Sequence, residues 1–170
     1  KYFAILIMAF AVGTVVSCES REEVIVDNSA KNIVYDLRNI NFTAANNYSY
    51  YSEFNRPMLG SDYVLMFRKK NPEPGGTVVW EPIPKTIYIS NDREVDYDFD
   101  FSIYDIKIIA GSNYDISTTP EYSNNQTFRV VLVPGEYGGK SNVDLTKLSY
   151  KEVIEKYNID ITKCYNNLYK

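Results

Sequence analysis

Acidic and aromatic side chains alternate along the chain from residue 94 to residue 103. Asp96, Asp98 and Asp100 fall on one side of this alternation. The other side carries large apolar side chains, namely Tyr97, Phe99, Phe101 and Ile103. A period of two predicts a β-strand with one buried face and one solvated face. Because one face is polar, an antiparallel sheet is favoured over a parallel sheet, whose strands are covered on both sides.

Further strand-like segments follow one another along most of the chain, separated by glycine, proline, asparagine and aspartate. The composition, with 45% hydrophobic and 15% aromatic residues, is sufficient for a buried core. We predict a mainly β fold, an antiparallel immunoglobulin-like β-sandwich of about seven strands with one short C-terminal helix. The predicted strands cover residues 33–42, 47–54, 62–69, 77–81, 85–90, 95–109 and 127–133.

The predicted helix begins after residue 149. Ser149 and Glu152 have the spacing of a capping box, in which each side chain bonds to the backbone of the other residue. Val153, Ile154 and Tyr157 then recur at helical spacing on one face. Such a short helix is not stable alone, so we expect this face to pack on the sandwich.

The beginning of the sequence has a different pattern. Lys1 precedes an uncharged apolar run that ends at Ser17 and Cys18. The run is shorter than the roughly 20 residues that a membrane-spanning helix needs, and its order of features is typical of a secretory signal peptide. Residues 15–18, Val-Val-Ser-Cys, resemble the lipobox of bacterial lipoproteins, which implies cleavage before Cys18 and acylation of its sulfur. The alternatives are an ordinary signal peptide with an incidental cysteine and a short membrane anchor that is retained.

The segment after Cys18 is acidic. Glu19, Glu22 and Glu23 resemble the export signal that lipoproteins of the Bacteroidota carry after the acylated cysteine, which implies transport to the outer face of the outer membrane. A solvated tether is the alternative interpretation. We therefore expect three regions along the chain. They are a lipoprotein signal peptide at 1–17, a lipidated cysteine with an acidic tether at 18–32, and the β-sandwich domain at 33–170.

Several classes of chemistry are excluded by composition. Histidine is absent, which removes Ser-His-Asp and Cys-His catalysis and every histidine-ligated metal site. A formal net charge of −4 argues against nucleic acid as a partner. If Cys18 is acylated, Cys164 is the remaining thiol, so no disulfide forms within the chain and no base activates the thiol. We expect Cys164 to be a small buried or edge residue.

A glycine-rich segment raises the further possibility of nucleotide binding. Gly139, Lys140 and Ser141 match the end of a phosphate-binding loop. The opening glycine of that motif is replaced by Pro134, and no helix is expected to follow the serine. We therefore interpret the segment as a loop, and we expect no cofactor, no metal and no enzymatic activity. Hydrolysis by a pair of carboxylates stays open, because the sequence does not select a pair among 22 acidic residues.

Two groups of residues are candidates for binding. Tyr48, Tyr50 and Tyr51 would suit a glycan or a protein partner if they are exposed, and the alternative is that one face of their strand belongs to the core. The carboxylates at 96, 98 and 100 could bind Ca²⁺ only with help from a loop, since alternate residues of a strand stand about 7 Å apart. The alternative is a solvated acidic face. Trp80, the lone tryptophan, is expected in the core or at a seam.

Four segments together resemble a family of small flavobacterial lipoproteins of unknown function. They cover residues 61–68, 79–86, 97–106 and 125–134. Members are often labelled dihydrolipoamide dehydrogenase, but this chain has no G-x-G-x-x-G fingerprint and no redox cysteine pair. The resemblance implies an exported, lipid-anchored β domain and supplies no catalytic residues. Within these segments we expect structural roles, including a cross-strand pair between Arg129 and an aspartate of the 96–100 group.

The sequence thus leads to one functional hypothesis and two alternatives. The first is a lipid-anchored lipoprotein of the outer membrane or cell surface that acts as a non-catalytic accessory or adaptor to another envelope protein. The alternative is a glycan-binding module that uses exposed tyrosines, and the third possibility is a small hydrolase. An accessory protein should expose an apolar patch, a glycan binder should have a concave aromatic strip, and a hydrolase should have facing carboxyls with raised pKa values.

Overall fold

Two mainly antiparallel sheets pack face to face in the structure, a computed structural model that describes residues 33–70, 76–135, 144 and 147–166. One sheet, sheet A, has the strand order β4-β3-β8-β1-β9, and the other, sheet B, has the order β2-β7-β6-β5. The predicted antiparallel sandwich is confirmed. The strands are β1 (Ile33–Ile40), β2 (Ser49–Glu53), β3 (Tyr63–Lys70), β4 (Val79–Ile83), β5 (Lys85–Ile89), β6 (Arg93–Phe101), β7 (Asp105–Ser112), β8 (Gln126–Val133) and the two-residue β9 (Tyr165–Asn166).

The strand order differs in detail from that of an immunoglobulin domain, whose sheets have the orders ABED and CFG. Here the first strand, β1, pairs with β8 rather than with its neighbour in sequence. Strand β9 adds to the other edge of β1 in parallel orientation. The immunoglobulin likeness therefore lies in the two packed layers and not in the connections.

One predicted strand, at 95–109, is two strands in the structure. Residues 102–104 form a turn between β6 and β7, in which the Ser102 amide donates to the Asp105 carbonyl oxygen at 2.9 Å. The Ser102 hydroxyl also donates to Asp105 Oδ1 at 2.7 Å. Serine and aspartate side chains close this turn without glycine or proline, so the usual punctuation was missing from the sequence.

Helical structure is short. The predicted C-terminal helix is confirmed as α2 (Tyr150–Lys156), with both hydrogen bonds of the capping box between Ser149 and Glu152 present. A four-residue helix, α1 (Pro120–Ser123), precedes β8. Among the described residues, 3₁₀ turns cover Ala44–Asn46, Ile116–Thr118 and Ile161–Lys163. Within the described part of the chain, no helix has the length and apolar character needed to cross a membrane.

Sheet A is buried on both of its faces, which explains why β3 and β8 are almost continuously apolar. Its inner face joins sheet B in an inner core that includes Leu37, Met66, Val95, Tyr97, Ile106, Ile108, Phe128 and Val130. Its outer face joins the C-terminal segment in an outer core that consists of Val34, Leu65, Phe67, Val131, Val133, Val153, Tyr157 and Ile159. The molecule therefore has three layers, in the order sheet B, sheet A and C-terminal segment.

Sheet B has the half-buried character that the alternation at 94–103 predicts. Val95 and Tyr97 of β6 are fully buried on the inner face. Asp98 and Asp100 are exposed on the outer face, and Asp96 is half-buried there. Some of the sequence predictions fall outside the described residues. These are the lipidation site Cys18, the export signal Glu19, Glu22 and Glu23, and the glycine-rich segment at 139–141.

Candidate functional site

One end of the sandwich is built from two segments that the chain brings together from different places. The turn between β6 and β7 packs against the loop at 54–62 that joins β2 to β3. The Phe54 amide donates to the Tyr104 carbonyl oxygen at 2.7 Å, and the Met58 amide donates to the Ile103 carbonyl oxygen at 2.8 Å. Phe54 and Met58 are buried beneath this junction, so the two segments form one ordered end.

Large apolar side chains remain exposed at this end. We name them the apolar end; they are Leu59 (67% exposed), Tyr63 (46%), Phe101 (43%), Ile103 (37%) and Tyr104 (59%). Single exposed apolar side chains are common on proteins, but a group at one end of a domain indicates an interaction surface. The alternation in the sequence placed Phe101 and Ile103 on the buried face. That prediction is wrong for both, because they lie where β6 runs out into the turn and sheet A no longer covers them.

A pocket opens beside the apolar end, between β3 and β4 on one side and β6 on the other. Its volume is about 190 Å³, and its lining includes Tyr63, Met66, Ile83, Phe99, Phe101 and Leu148. Phe99 and Phe101 stack on one another with their ring centroids 6.2 Å apart. An apolar cavity of about 150 Å³ holds benzene, so this pocket has room for one aromatic or branched side chain of a partner.

The first described residue lies at the same end of the sandwich. Ile33 pairs with Leu132, and Tyr63 pairs with the adjacent Val133, so β1 begins beside the start of β3. The chain that precedes residue 33 therefore joins the domain at the apolar end.

The outer face of sheet B next to the apolar end is acidic. Glu53 lies opposite Asp105 in the register of β2 and β7, and Asp100 lies opposite Lys107 in the register of β6 and β7. The Tyr51 hydroxyl donates to Asp105 Oδ2 at 3.0 Å, and this hydrogen bond raises the pKa of Tyr51 to about 12. The surface beside the apolar end thus favours a partner with basic residues.

The predicted tyrosine group is divided by the fold. Tyr48 and Tyr50 are half-buried and pack against the inner core. Tyr51 points to the opposite face and is 55% exposed. Tyr48 lies just before β2, in a left-handed backbone conformation with φ of 50°. The structure therefore does not bring the three tyrosines together, which matches the alternative that one face belongs to the core.

The three aspartates proposed for calcium have separate surroundings. Asp96 accepts a hydrogen bond from the Thr86 hydroxyl at 2.6 Å, and Asp98 accepts one from the Phe99 amide at 2.7 Å. Asp100 lies opposite Lys107. Over the described ranges, no group of three or more acidic or cysteine side chains could hold a metal ion.

We expected Arg129 to pair with an aspartate of β6. In the structure it pairs instead with Asp36 of β1. Its Nε donates to Asp36 Oδ1 at 2.7 Å and its Nη2 donates to Asp36 Oδ2 at 3.0 Å. The expectation was wrong because Arg129 points to the outer face of sheet A, whereas β6 belongs to sheet B. Arg129 also donates to the Tyr150 hydroxyl and lies 4.3 Å from the centre of the Trp80 ring, which places Trp80 at the expected seam.

This pair determines the protonation of the groups around it. Burial alone would raise the pKa of Asp36, but the hydrogen bonds and charge of Arg129, with a hydrogen bond from Arg38, hold that pKa below its ordinary value. Burial raises the pKa of the Cys164 thiol, and the nearby charge of Asp36 raises it further. Cys164 is thus held in the thiol form, which is not the form of a nucleophile.

No known protein family, curated protein or solved structure matches this chain.

The three sequence hypotheses differ in how well the surface supports them. An exposed apolar group, expected of an accessory protein, is present at the apolar end. Among the described residues, the carboxyls whose pKa departs from the ordinary value are those of Asp36, Asp115 and Glu152, and in each the pKa is lowered. A general acid needs a raised pKa, so these carboxyls do not support hydrolysis. The divided tyrosines do not form the concave strip expected of a glycan binder.

The residues of the apolar end were missed by the sequence analysis. Leu59 and Tyr63 lie in or beside a loop that carries no motif, and Phe101 and Ile103 follow the same alternation as buried residues. The one available signal was Tyr104, which breaks the alternation after Ile103 and thereby marks the end of the buried face.

Proposed function

We propose that this protein is a lipid-anchored, non-catalytic accessory protein of the outer envelope that binds another envelope protein through its apolar end. Acylation of Cys18, expected from the lipobox resemblance, would supply the membrane attachment. The domain beginning at residue 33 would supply the binding surface.

The observation that carries the proposal is the position of the apolar end. Exposed apolar side chains and the first described residue lie at the same end of the sandwich. Residues 19–32, if fully extended, reach no more than roughly 50 Å, so this end would stay within that distance of the bilayer. A partner embedded in or resting on the same membrane is therefore within reach of the apolar end.

The pocket and the charges around the apolar end indicate which side chains a partner should carry. The pocket beside Phe101 has room for one large apolar side chain, which would act as an anchor. Glu53, Asp100 and Asp105 lie on the adjacent face, so basic residues next to that anchor would complement their charge. We expect a partner segment that carries an aromatic or branched residue close to lysine or arginine.

A glycan-binding role has less support. It depended on a shared surface of Tyr48, Tyr50 and Tyr51, and the first two pack against the inner core. Tyr51 is engaged by Asp105 through its hydroxyl, which leaves one aromatic face rather than a strip.

The test is recovery of the lipidated protein from its native envelope in mild detergent, with co-purifying proteins identified by mass spectrometry. The informative variants are Leu59→Asp and Tyr104→Asp, because both side chains are more than half exposed and the substitutions should leave the core intact. The matched control is Tyr88→Asp, at an 81% exposed tyrosine on β5. A stoichiometric partner should fall at least about tenfold with the first two variants and remain with the control.

Two outcomes contradict the proposal. If the same partner is retained by Leu59→Asp and Tyr104→Asp, the apolar end is not its binding surface. If Cys18→Ala leaves the protein fully in the membrane fraction, lipid attachment at this cysteine is ruled out.

A further inference from the structure

One edge of sheet B is left without a neighbouring strand close to the apolar end. The chain crosses from β4 to β5 through Pro84. The register of β5 with β6 stops where Lys85 lies opposite Tyr97, whereas β6 continues to Phe101. In the part of the chain that the structure describes, no strand therefore lies beside residues 98–101 on this side of β6. We name residues 98–101 the free edge.

Alternate residues of β6 direct their backbone groups toward β7. At one end of the ladder between these strands, the Ser102 amide donates to the Asp105 carbonyl oxygen at 2.9 Å. At the other end, the Asn113 amide donates to the Glu94 carbonyl oxygen at 3.4 Å. Both bonds involve even-numbered residues of the β6 segment, and bonding alternates along an antiparallel ladder. The odd-numbered residues of β6 therefore direct their N–H and C=O groups away from β7.

Phe99 and Phe101 are the odd-numbered residues of the free edge, so their backbone groups point to the side that has no strand. The Phe99 amide is covered there by the preceding side chain, because it donates to Asp98 Oδ1 at 2.7 Å. Charged side chains at an exposed edge protect it from pairing with other chains. This protection is local, since the carbonyl oxygen of an added strand can replace the carboxylate as the acceptor.

The two faces of the free edge differ in character. Phe99 and Phe101 share the inner face with Tyr97 and line the pocket of about 190 Å³. Asp98 and Asp100 lie on the outer face, where both are exposed. A strand added to this edge would therefore meet an apolar pocket on its inner face and two carboxylates on its outer face.

We propose that the partner of the apolar end adds an extended segment to β6 along the free edge, antiparallel and with alternating apolar and basic residues. This inference rests on the proposed function and specifies its binding mode. Segment residues opposite Phe99 and Phe101 exchange backbone hydrogen bonds with them and direct apolar side chains toward the pocket. Segment residues opposite Asp98 and Asp100 place lysine or arginine beside these carboxylates. The Phe99 amide bonds to the segment, which releases Asp98 to pair with the basic residue.

The probe is the peptide Val-Lys-Phe-Lys, labelled at its amino end and amidated at its carboxyl end. Antiparallel addition places its valine opposite Phe101 and its phenylalanine opposite Phe99. Fluorescence anisotropy follows its binding to the full lipidated chain in non-ionic detergent. The control peptide Val-Phe-Lys-Lys has the same composition and charge, but its two apolar side chains point to opposite faces of a strand. We expect saturable binding of the alternating peptide and at least about fivefold weaker binding of the control.

Methylation of the peptide nitrogens separates strand addition from contact through side chains alone. In the proposed register, the N–H groups of the valine and the phenylalanine face β6, whereas those of the two lysines face away. N-methylation of the valine and the phenylalanine should weaken binding at least about tenfold, because two hydrogen bonds are lost. N-methylation of the two lysines should change the affinity by less than about twofold.

A pair of protein variants tests the basic residues of the segment. Asp100→Asn should weaken binding of the alternating peptide about threefold, because it removes a carboxylate that lies beside a lysine of the added strand. Glu94→Gln is the matched control, because Glu94 also lies on the outer face of β6 but faces Tyr88 of β5 rather than the free edge. This control should leave the affinity unchanged.

Failure of strand addition and failure of the proposed function give different results. No saturable binding, equal loss with the two N-methylated peptides, or equal loss with Asp100→Asn and Glu94→Gln would overturn strand addition, even if the native partner depends on the apolar end. If the native partner is retained by Leu59→Asp and Tyr104→Asp while the N-methylation pattern holds, the accessory function fails and the free edge stands as a site for extended segments.

Discussion

Asp36 and Arg129 form the ion pair on which the outer core is arranged. They face each other directly across β1 and β8, and their side chains are 4% and 12% exposed. A buried charge is tolerated only when it is paired and hydrogen-bonded. Here Arg129 donates two hydrogen bonds to Asp36 and a further one to the Tyr150 hydroxyl. Removing one partner leaves the other charge buried without compensation, which costs more than the pair itself contributes.

The first prediction follows from this pair. Asp36→Asn should lower the free energy of unfolding at neutral pH by about 3 kcal/mol, because Arg129 is left without its counter-charge. The pKa of Asp36 is lowered in the folded protein, so its stabilising contribution is present above the ordinary value of 3.8 and is lost as the pH falls through the folded value. The difference between wild type and Asp36→Asn should therefore shrink in acid.

Urea unfolding at pH 7 and at about pH 2 measures this difference. Asp98→Asn, an exposed aspartate on the outer face of sheet B, is the control and should have little effect at either pH. A difference between wild type and Asp36→Asn that stays the same size in acid would show that the ion pair is not its source.

At the scale of elements, the two strands β3 and β8 and the helix α2 depend on one another. β3 and β8 have no polar face because α2 and the residues after it cover the outer side of sheet A. The helix has seven residues, too few to be stable by itself, so its capping box and its contacts with the sheet must act together. Val153 is its fully buried residue.

The second prediction concerns the cap. Ser149→Ala should destabilise α2 by about 1 kcal/mol, because the Glu152 amide loses its acceptor and the carboxylate of Glu152 loses the Ser149 hydroxyl. Hydrogen exchange of the Val153 and Tyr157 amides, which donate within and just after the helix, should become about fivefold faster. Lys151→Ala, on the exposed side of the same helix, should leave these exchange rates within about twofold. Equal rates in wild type and Ser149→Ala would contradict the assigned cap.

At the scale of the whole molecule, the three layers explain how a small domain buries enough apolar surface. Sheet B has one apolar face and needs one partner layer, whereas sheet A has two apolar faces and needs a partner layer on each side. Trp80 reports on the second of these contacts, because its ring lies 5.8 Å from that of Tyr150 at the start of α2. The single tryptophan of the chain thus senses whether the C-terminal layer is in place.

The third prediction tests this layer. Val153→Asp places a charge in the outer core and should release the C-terminal layer from sheet A. Trp80 emission should then shift to longer wavelength, and the exposed outer face of sheet A should bind a hydrophobic dye and promote self-association. Lys151→Asp puts the same charge on the exposed side of α2 and should change none of these properties. An unchanged Trp80 emission in Val153→Asp would mean that the layer does not depend on this contact.

Local patterns in the sequence were sufficient to predict most of the strands, the solvated face of β6 and the capping box of α2. Each of these depends on groups within a few residues of one another, whose spacing follows from the period of a strand or the first turn of a helix. The turn at 102–104 escaped prediction because serine and aspartate side chains close it, and these residues also occur within strands.

Only the tertiary structure decided which apolar residues stay exposed and which charges meet. Phe101 and Tyr97 share one alternation, yet the first lies at the end of the sandwich and the second beneath sheet A. Arg129 meets Asp36, which is 93 residues away in the chain, because β1 and β8 are neighbours. Burial and ion pairing depend on which distant strand lies opposite, and the order of strands in the sheets is a property of the packed molecule rather than of any local segment.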